Sequence, residues 1–208
     1  MINGKLIKVC GMTLGENILE VESLGVDMMG FIFYPPSPRY VKEVPTYLPQ
    51  KAKRAGVFVN SSIEEILNTI DSFKLDIIQL HGNETPEQCY FLRECGGVKV
   101  MKAFGISDEE SLHLSRSYEG TCDMYLFDTK ASSYGGSGKK WDWSVLSSYR
   151  GKTPFLLSGG IGPDDAPALK EGKFPKTLSG FDLNSRFELS PGIKDAEKVE
   201  KFLNELKA

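Results

Sequence analysis

Eight short, apolar, β-prone runs recur along this chain, and several of the gaps between them carry helical periodicity. The runs are LIKVC (Leu6 to Cys10), MMGFIF (Met28 to Phe33), AGVFV (Ala55 to Val59), DIIQL (Asp76 to Leu80), VKVMKAF (Val98 to Phe104), MYLFD (Met124 to Asp128), PFLLS (Pro154 to Ser158) and LSGFD (Leu178 to Asp182). They stand about 20 to 30 residues apart, the interval that a strand and its following helix occupy. Ile63, Ile66, Leu67 and Ile70 follow a Ser61-Ser62 start at helical spacing, and Val199, Phe202, Leu203 and Leu206 repeat that spacing near the end of the sequence. Thr85-Pro86-Glu87 and Ser107-Asp108-Glu109-Glu110 read as capped helix starts with acidic groups near the positive end of the helix dipole. The second unit is the weakest, because Pro45 and Pro49 interrupt any long helix before Ala55.

Eight alternations without a long linker or a shift in composition predict one α/β domain over residues 1–208, a closed (β/α)8 TIM barrel. The 208 residues fit the short end of that fold, which runs from about 200 upward. A doubly wound open sheet is the alternative, but no GxGxxG follows the first strand and no Walker lysine loop occurs.

Composition removes whole classes of function. The 25 basic and 28 acidic side chains leave a net charge of −3, so no basic surface is expected for sequence-independent nucleic-acid binding. No uncharged apolar run reaches the roughly 18 residues of a spanning helix, and MINGKLIKVC lacks the apolar core and cleavage site of a secretory signal. We therefore expect a soluble, cytoplasmic protein. Cys10, Cys89, Cys95 and Cys122 form no CxxC pair, and His81 and His113 stand in no Cys/His cluster. Neither a zinc site nor a disulfide framework is expected, and each thiol reads first as a small buried hydrophobe.

In a barrel, chemistry gathers at the C-terminal ends of the strands and in the loops that follow. Those positions hold Cys10, Arg39, His81, Asp128 and Asp182, reactive or polar types at the ends of apolar runs or just beyond them. Glycine-rich or small polar stretches fall there too: Gly135-Gly136-Ser137-Gly138, Ser158-Gly159-Gly160-Ile161-Gly162, and Asn184-Ser185. Glycines between a strand and a helix start let successive N–H groups form an anion cradle, although the same sequence also serves ordinary turns. Taken singly, Cys10 reads as a structural thiol, Asp128 and Asp182 as strand-end caps, Arg39 as a solvated residue and His81 as a turn histidine. Asp164 and Asp165 read as helix-start residues, Trp141 and Trp143 as loop packing, and His113 has no assigned role.

Taken together the residues say more. KVCGMT (Lys8 to Thr13), GFIFYPPSPRYV (Gly30 to Val41), VFVN (Val57 to Asn60), IQLHGNE (Ile78 to Glu84), FDT (Phe127 to Thr129), GGSGKKWDW (Gly135 to Trp143), LSGGI (Leu157 to Ile161), GFDLNSRFE (Gly180 to Glu188) and PGIKD (Pro191 to Asp195) occur in this order. The set resembles the phosphoribosylanthranilate isomerase family, from Lys5 to the end of the sequence. One departure is NSRFE, where Arg186 and Phe187 follow two small polar residues that many members follow with glycine.

The resemblance implies an Amadori rearrangement of a phosphorylated aminosugar, N-(5-phosphoribosyl)anthranilate, in tryptophan biosynthesis, with no cofactor and no metal. It implies Asp128 as the general acid that helps to open the furanose ring and Cys10 as the general base at sugar C2. That assignment requires a Cys10 pKa drawn modestly below its reference of about 8.5 and an Asp128 pKa raised from about 3.9. Arg39 is the implied fork for the anthranilate carboxylate. Gly160, Ile161, Asn184 and Ser185 are implied phosphate contacts, Gly159 an implied substrate contact, and His81 and Asp182 implied orienting or ligand contacts. A monomer and a homodimer are both expected possibilities, with no membrane or nucleic-acid partner. Two other readings are a sugar-phosphate-binding barrel without catalysis and the histidine-pathway aminosugar isomerase. The latter carries an aspartate base where this chain has Cys10.

Overall fold

The computed structural model describes residues 1–130 and 141–208. Eight parallel strands close into a barrel in sequence order: β1 (Leu6–Cys10), β2 (Met28–Ile32), β3 (Lys53–Phe58), β4 (Ile77–Leu80), β5 (Lys99–Ile106), β6 (Met124–Thr129), β7 (Phe155–Leu157) and β8 (Leu178–Leu183). The ring closes where β1 lies beside β8, with Leu6 opposite Gly180 and Lys8 opposite Asp182. All eight expected strands are present, with ends moved by no more than a few residues.

Alternation along each strand divides the apolar side chains between two layers. Met28, Ala55, Ile77, Met101, Ala103, Leu126 and Leu156 fill the barrel interior, with Leu6 and Met124 packed against them. Ile7, Val9, Met29, Phe31, Ile78, Val100, Tyr125 and Phe155 face outward into the larger core beneath the helices. The helices are α1 (Gly15–Ser23), α2 (Ile63–Phe73), α3 (Pro86–Cys95), α4 (Glu109–His113), α5 (Ala166–Glu171) and α6 (Ala196–Lys207). Among the described residues, none is long and apolar enough to cross a membrane.

Local chemistry accounts for the helix starts. Ser62 accepts from the Glu65 N–H while the Glu65 carboxylate accepts from the Ser62 N–H, and Thr85 and Gln88 repeat this box. At α4 the cap is Asp108, whose carboxylate accepts from the Ser111 N–H. As the prolines foretold, no helix follows β2. Glu22 instead pins that loop, accepting from Lys51 N, Ala52 N and the Tyr47 hydroxyl. A two-stranded hairpin, β9 (Glu188–Ser190) with β10 (Ile193–Lys194), follows β8 and has no counterpart in the sequence reading.

Of the four thiols, Cys10, Cys89 and Cys122 are buried as expected, whereas Cys95 is exposed. It is the last residue of α3, where the helix ends at Gly96 on the outside of the barrel.

Candidate active site

The C-terminal mouth of the barrel holds a cleft of about 730 Å³, counting its opening. Cys10, His81, Asp128, Gly159, Gly160, Ile161, Asp182, Asn184 and Ser185 all line it. Nine residues scattered over 176 positions of sequence thus meet at one place because each ends a strand or begins the loop after it. The Gly135–Gly138 stretch lies outside the described residues.

Cys10 ends β1 and is buried. Its neighbour in register on β2 is Gly30, and a Cβ at Gly30 would fall 2.6 Å from the Cys10 sulfur. Glycine there is what gives the thiol room. Burial pushes the Cys10 pKa up, and the Asp182 carboxylate pushes it further; Lys8 and Lys194 oppose this without reversing it. The sequence reading required a pKa below the reference value, and the structure places it above, because desolvation of a thiolate outweighs two nearby cations.

Asp128, on β6, is held by the Thr129 N–H, which donates to its Oδ1 at 2.7 Å. Burial, reinforced by the charge of Asp182, raises its pKa to about 6. That is the direction a general acid requires. His81 sits across from it, with Nε2 3.6 Å from Asp128 Oδ2 and Nδ1 3.0 Å from the Gln79 amide nitrogen. Burial, aided by Lys102 and Lys8, lowers the His81 pKa to about 4.

The loop that presents His81 is fixed from below. Glu84 accepts from the N–H groups of Asn60 and Gly82, and its carboxylate pairs with the buried Lys102 ammonium at 3.2 Å. Lys102 also donates to the carbonyls of Leu80, Gly82 and Ala103.

Asp182, on β8, pairs through Oδ1 with the Lys8 ammonium at 2.8 Å and accepts from the Ser158 hydroxyl through Oδ2 at 3.1 Å. Lys8 was not among the residues expected here. Its signal was a charged residue inside the apolar run LIKVC, two positions before Cys10 and therefore on the same inward face. Gln79 was missed for the same reason: it lies two positions before His81 and also lines the cleft.

One end of the cleft is built of backbone. Gly159 and Gly160 hold φ of +87° and +70°, a left-handed pair that few other residues would adopt. Among the described residues, the N–H groups of Gly160, Ile161 and Ser185 donate to no protein acceptor, whereas Gly162 N–H is taken by Asp165 at 2.8 Å. Arg186 reaches over this end, donating to Gly160 O at 3.3 Å and lying against Gly162. Trp141 donates its indole N–H to Ser158 O, so it packs the loop against β7 as the sequence suggested.

Arg39 is not a solvated loop residue: it is 6 % exposed, and its guanidinium forks onto Glu188, with Nε at 2.8 Å from Oε1 and Nη2 at 2.7 Å from Oε2. Glu188 also takes the Lys194 ammonium at 2.6 Å, and Lys194 donates to Asn184 Oδ1 at 2.8 Å. The hairpin β9–β10 therefore ties Arg39 to the cleft residue Asn184 through two buried ionic contacts and one hydrogen bond.

Comparison with known proteins finds matches over nearly the whole chain. A family model described as N-(5'phosphoribosyl)anthranilate (PRA) isomerase matches residues 7–205. N-(5'-phosphoribosyl)anthranilate isomerase of Phocaeicola vulgatus is 52% identical over 202 residues, covering 97% of this chain and 98% of the relative. That of Parabacteroides distasonis is 46% identical, covering 97% and 93%. Among solved structures, phosphoribosyl anthranilate isomerase from Thermotoga maritima superposes with a TM-score of 0.81 at 33% identity, covering 98% of each chain. A phosphoribosyl anthranilate isomerase in complex with reduced 1-(o-carboxyphenylamino)-1-deoxyribulose 5-phosphate gives 0.79 at 29%, again covering 98% of each.

Proposed function

The chain belongs to the N-(5'-phosphoribosyl)anthranilate isomerase family, a barrel isomerase of tryptophan biosynthesis, and from that premise we propose that Cys10 and Asp128 are its base and acid. The observation that carries this reading is that the two groups enter one cleft from β1 and β6, three strands apart around the barrel mouth.

The reaction opens when Asp128 gives its proton to the furanose ring oxygen as the C1–O bond breaks, leaving a Schiff base between C1 and the anthranilate nitrogen. The Cys10 thiolate then takes the C2 proton, and the electron pair moves to form the enolamine. Tautomerisation of the enolamine gives the ketone, 1-(2-carboxyphenylamino)-1-deoxyribulose 5-phosphate. Each step moves protons and electron pairs within one substrate, so acid–base groups suffice. Burial raises the Asp128 carboxyl to about 6 and raises the Cys10 thiol as well, with Lys8 and Lys194 opposing the second shift.

We assign the phosphate to the end of the cleft where Gly159, Gly160, Ile161, Asn184 and Ser185 stand, since convergent N–H groups suit an anion. Arg39 is assigned to the anthranilate carboxylate. Its Nη1 donates to no described group, while Nε and Nη2 are held by Glu188. His81 and Asp182 are assigned to orienting the acid and the ligand. Residues 1–208 act as one unit in this account, every group named comes from one chain, and a reduced Cys10 suits the cytoplasm. One solved Thermotoga maritima structure is of mutually generated monomers of a dimeric phosphoribosylanthranilate isomerase. For this chain either state is consistent with the assignment.

The test separates binding from chemistry. Cys10→Ala and Asp128→Ala should bind reduced 1-(o-carboxyphenylamino)-1-deoxyribulose 5-phosphate within a few-fold of the parent by calorimetry while losing turnover. Parallel loss of both would show that the two residues shape the cleft and do not perform the chemistry. A sugar-phosphate-binding barrel without catalysis predicts no turnover by the parent. The histidine-pathway reading is disfavoured by a cysteine, not an aspartate, at the end of β1.

A further inference from the structure

We propose that the buried Lys8–Asp182 ion pair is a positioning device that polarises the acid–base pair, its cationic end set against Cys10 and its anionic end toward Asp128. The inference deepens the reading of Cys10 as base and Asp128 as acid, and rests on it.

The pair is anomalous for its place. The inward positions beneath it are filled by Met28, Ala55, Ile77, Met101, Leu126 and Leu156, yet Lys8 carries a charge there at 0 % exposure. A buried ion pair seldom stabilises a fold more than well-packed apolar residues of the same size, so stability alone gives it no advantage.

Its orientation follows from strand order. Cys10 lies two residues beyond Lys8 on the same face of β1. Lys8 reaches across to Asp182 on β8, and the far oxygen of Asp182 accepts from Ser158 at the end of β7. The next residue, Gly159, lies against Asp128 on β6, where an added Cβ would fall 2.9 Å from Oδ1. Thiol, ammonium, carboxylate, hydroxyl and carboxyl thus follow one another from β1 through β8 and β7 to β6. The charges that face Cys10 are Lys8 from β1, Asp182 from β8, Lys194 from β10 and Arg39 from the loop after β2. Those that face Asp128 are Asp182 and Lys8, with neutral His81 beside it. Of the cations near Cys10, Lys8 opposes the effect of burial most strongly, and of the charges near Asp128, Asp182 reinforces burial most strongly.

The two ends therefore act with opposite sign on the thiol. The experiment is the pH dependence of iodoacetamide alkylation at Cys10, followed by mass spectrometry of its peptide so that the other three thiols do not interfere. Lys8→Met should slow alkylation at neutral pH about tenfold and raise the thiol pKa; Asp182→Asn should speed it by a similar factor and lower the pKa. The double variant Lys8→Met/Asp182→Asn leaves neither buried charge without its partner, so it tests the idea if a single variant fails to fold. Its rate should fall between those of the singles. Shifts in the same direction in both singles, or no resolvable change in any variant, would overturn the proposal. Turnover retained by Cys10→Ala would instead overturn the assignment of the base, and leaves the thiol titration as a separate result.

Discussion

His81 and Asp128 stand 3.6 Å apart, Nε2 to Oδ2, with opposite pKa displacements: burial lowers the imidazole to about 4 and raises the carboxyl to about 6. A fully ionic pair would need a pH above 6 for the carboxylate and below 4 for the imidazolium, and no pH meets both conditions. The contact is therefore between a neutral ring and a titrating acid. Gln79, 3.0 Å from Nδ1, is the neighbour that sets which ring nitrogen carries the proton.

Asp128 should cost the fold stability. Its folded pKa lies above its unfolded value of 3.8, so the native state binds more protons between those limits. Stability from this group is full below 3.8 and is lost as pH rises through 6. Asp128→Asn should then be more stable than the parent at pH 8 by on the order of 2 kcal/mol, discounting for a side chain that is 23% exposed. Thermal unfolding should show that gain shrinking as pH falls toward 4. An equal gain at both pH values would contradict the assigned burial.

His81 carries the reverse sign. With a folded pKa near 4 and an ordinary value of 6.5, its contribution is full above 6.5 and is lost as pH falls through 4. Carbon-13 and proton NMR should find the His81 ring neutral down to about pH 4. A midpoint near 6.5 would show that the ring is solvated.

Burial disposes the protons of Cys10 and Asp128 the wrong way round at neutral pH. The proposed chemistry needs protonated Asp128 and ionised Cys10, whereas the raised thiol and a carboxyl near 6 favour the opposite arrangement. The dependence of kcat/KM on pH should be bell-shaped, rising through about 6 as Asp128 ionises and falling above the ordinary thiol range as Cys10 does. A profile that rises only near 8.5 would exclude this assignment.

Glu188 holds Arg39 and Lys194 together, and all three side chains are nearly inaccessible. Glu188→Gln leaves two buried cations without their carboxylate, a change that costs about 3–5 kcal/mol when a buried pair is broken. Urea unfolding would read this as a lower midpoint at unchanged slope. A loss below 1 kcal/mol, the range of an exposed pair, would mean that solvent reaches the network.

Arg186 lies over the glycine end of the cleft, donating to Gly160 O. If that end takes the phosphate, Arg186→Gly should raise KM several-fold with kcat little changed, because a contact to a non-reacting group binds ground and transition states alike. A fall in kcat at constant KM would move Arg186 to the reacting centre.

The barrel was legible because alternation and helical spacing are properties of short segments. LIKVC proved to be a strand to the residue, and Ser62 and Thr85 capped the helices they preceded. The lining of the cleft was legible where a reactive residue ended an apolar run, as Cys10 and Asp128 do. Its ionic groundwork was not. Lys8 reads in sequence as an interruption of a strand, and only the register of β1 beside β8 brings it to Asp182. The fork of Arg39 onto Glu188 spans 149 positions and depends on a hairpin with no strong sequence pattern. The pKa of Cys10 was out of reach as well, because its direction depends on burial balanced against lysines contributed by β1 and β10.

The central claim, an Amadori rearrangement run by Cys10 and Asp128, is tested most directly by the fluorescence of N-(5'-phosphoribosyl)anthranilate. Its decay would be followed with the parent, Cys10→Ala and Asp128→Ala proteins, each checked for fold by circular dichroism. The account predicts rapid decay with the parent and rates at least about a hundredfold lower in both variants. Undiminished turnover by either folded variant, or none by the folded and reduced parent, would contradict it.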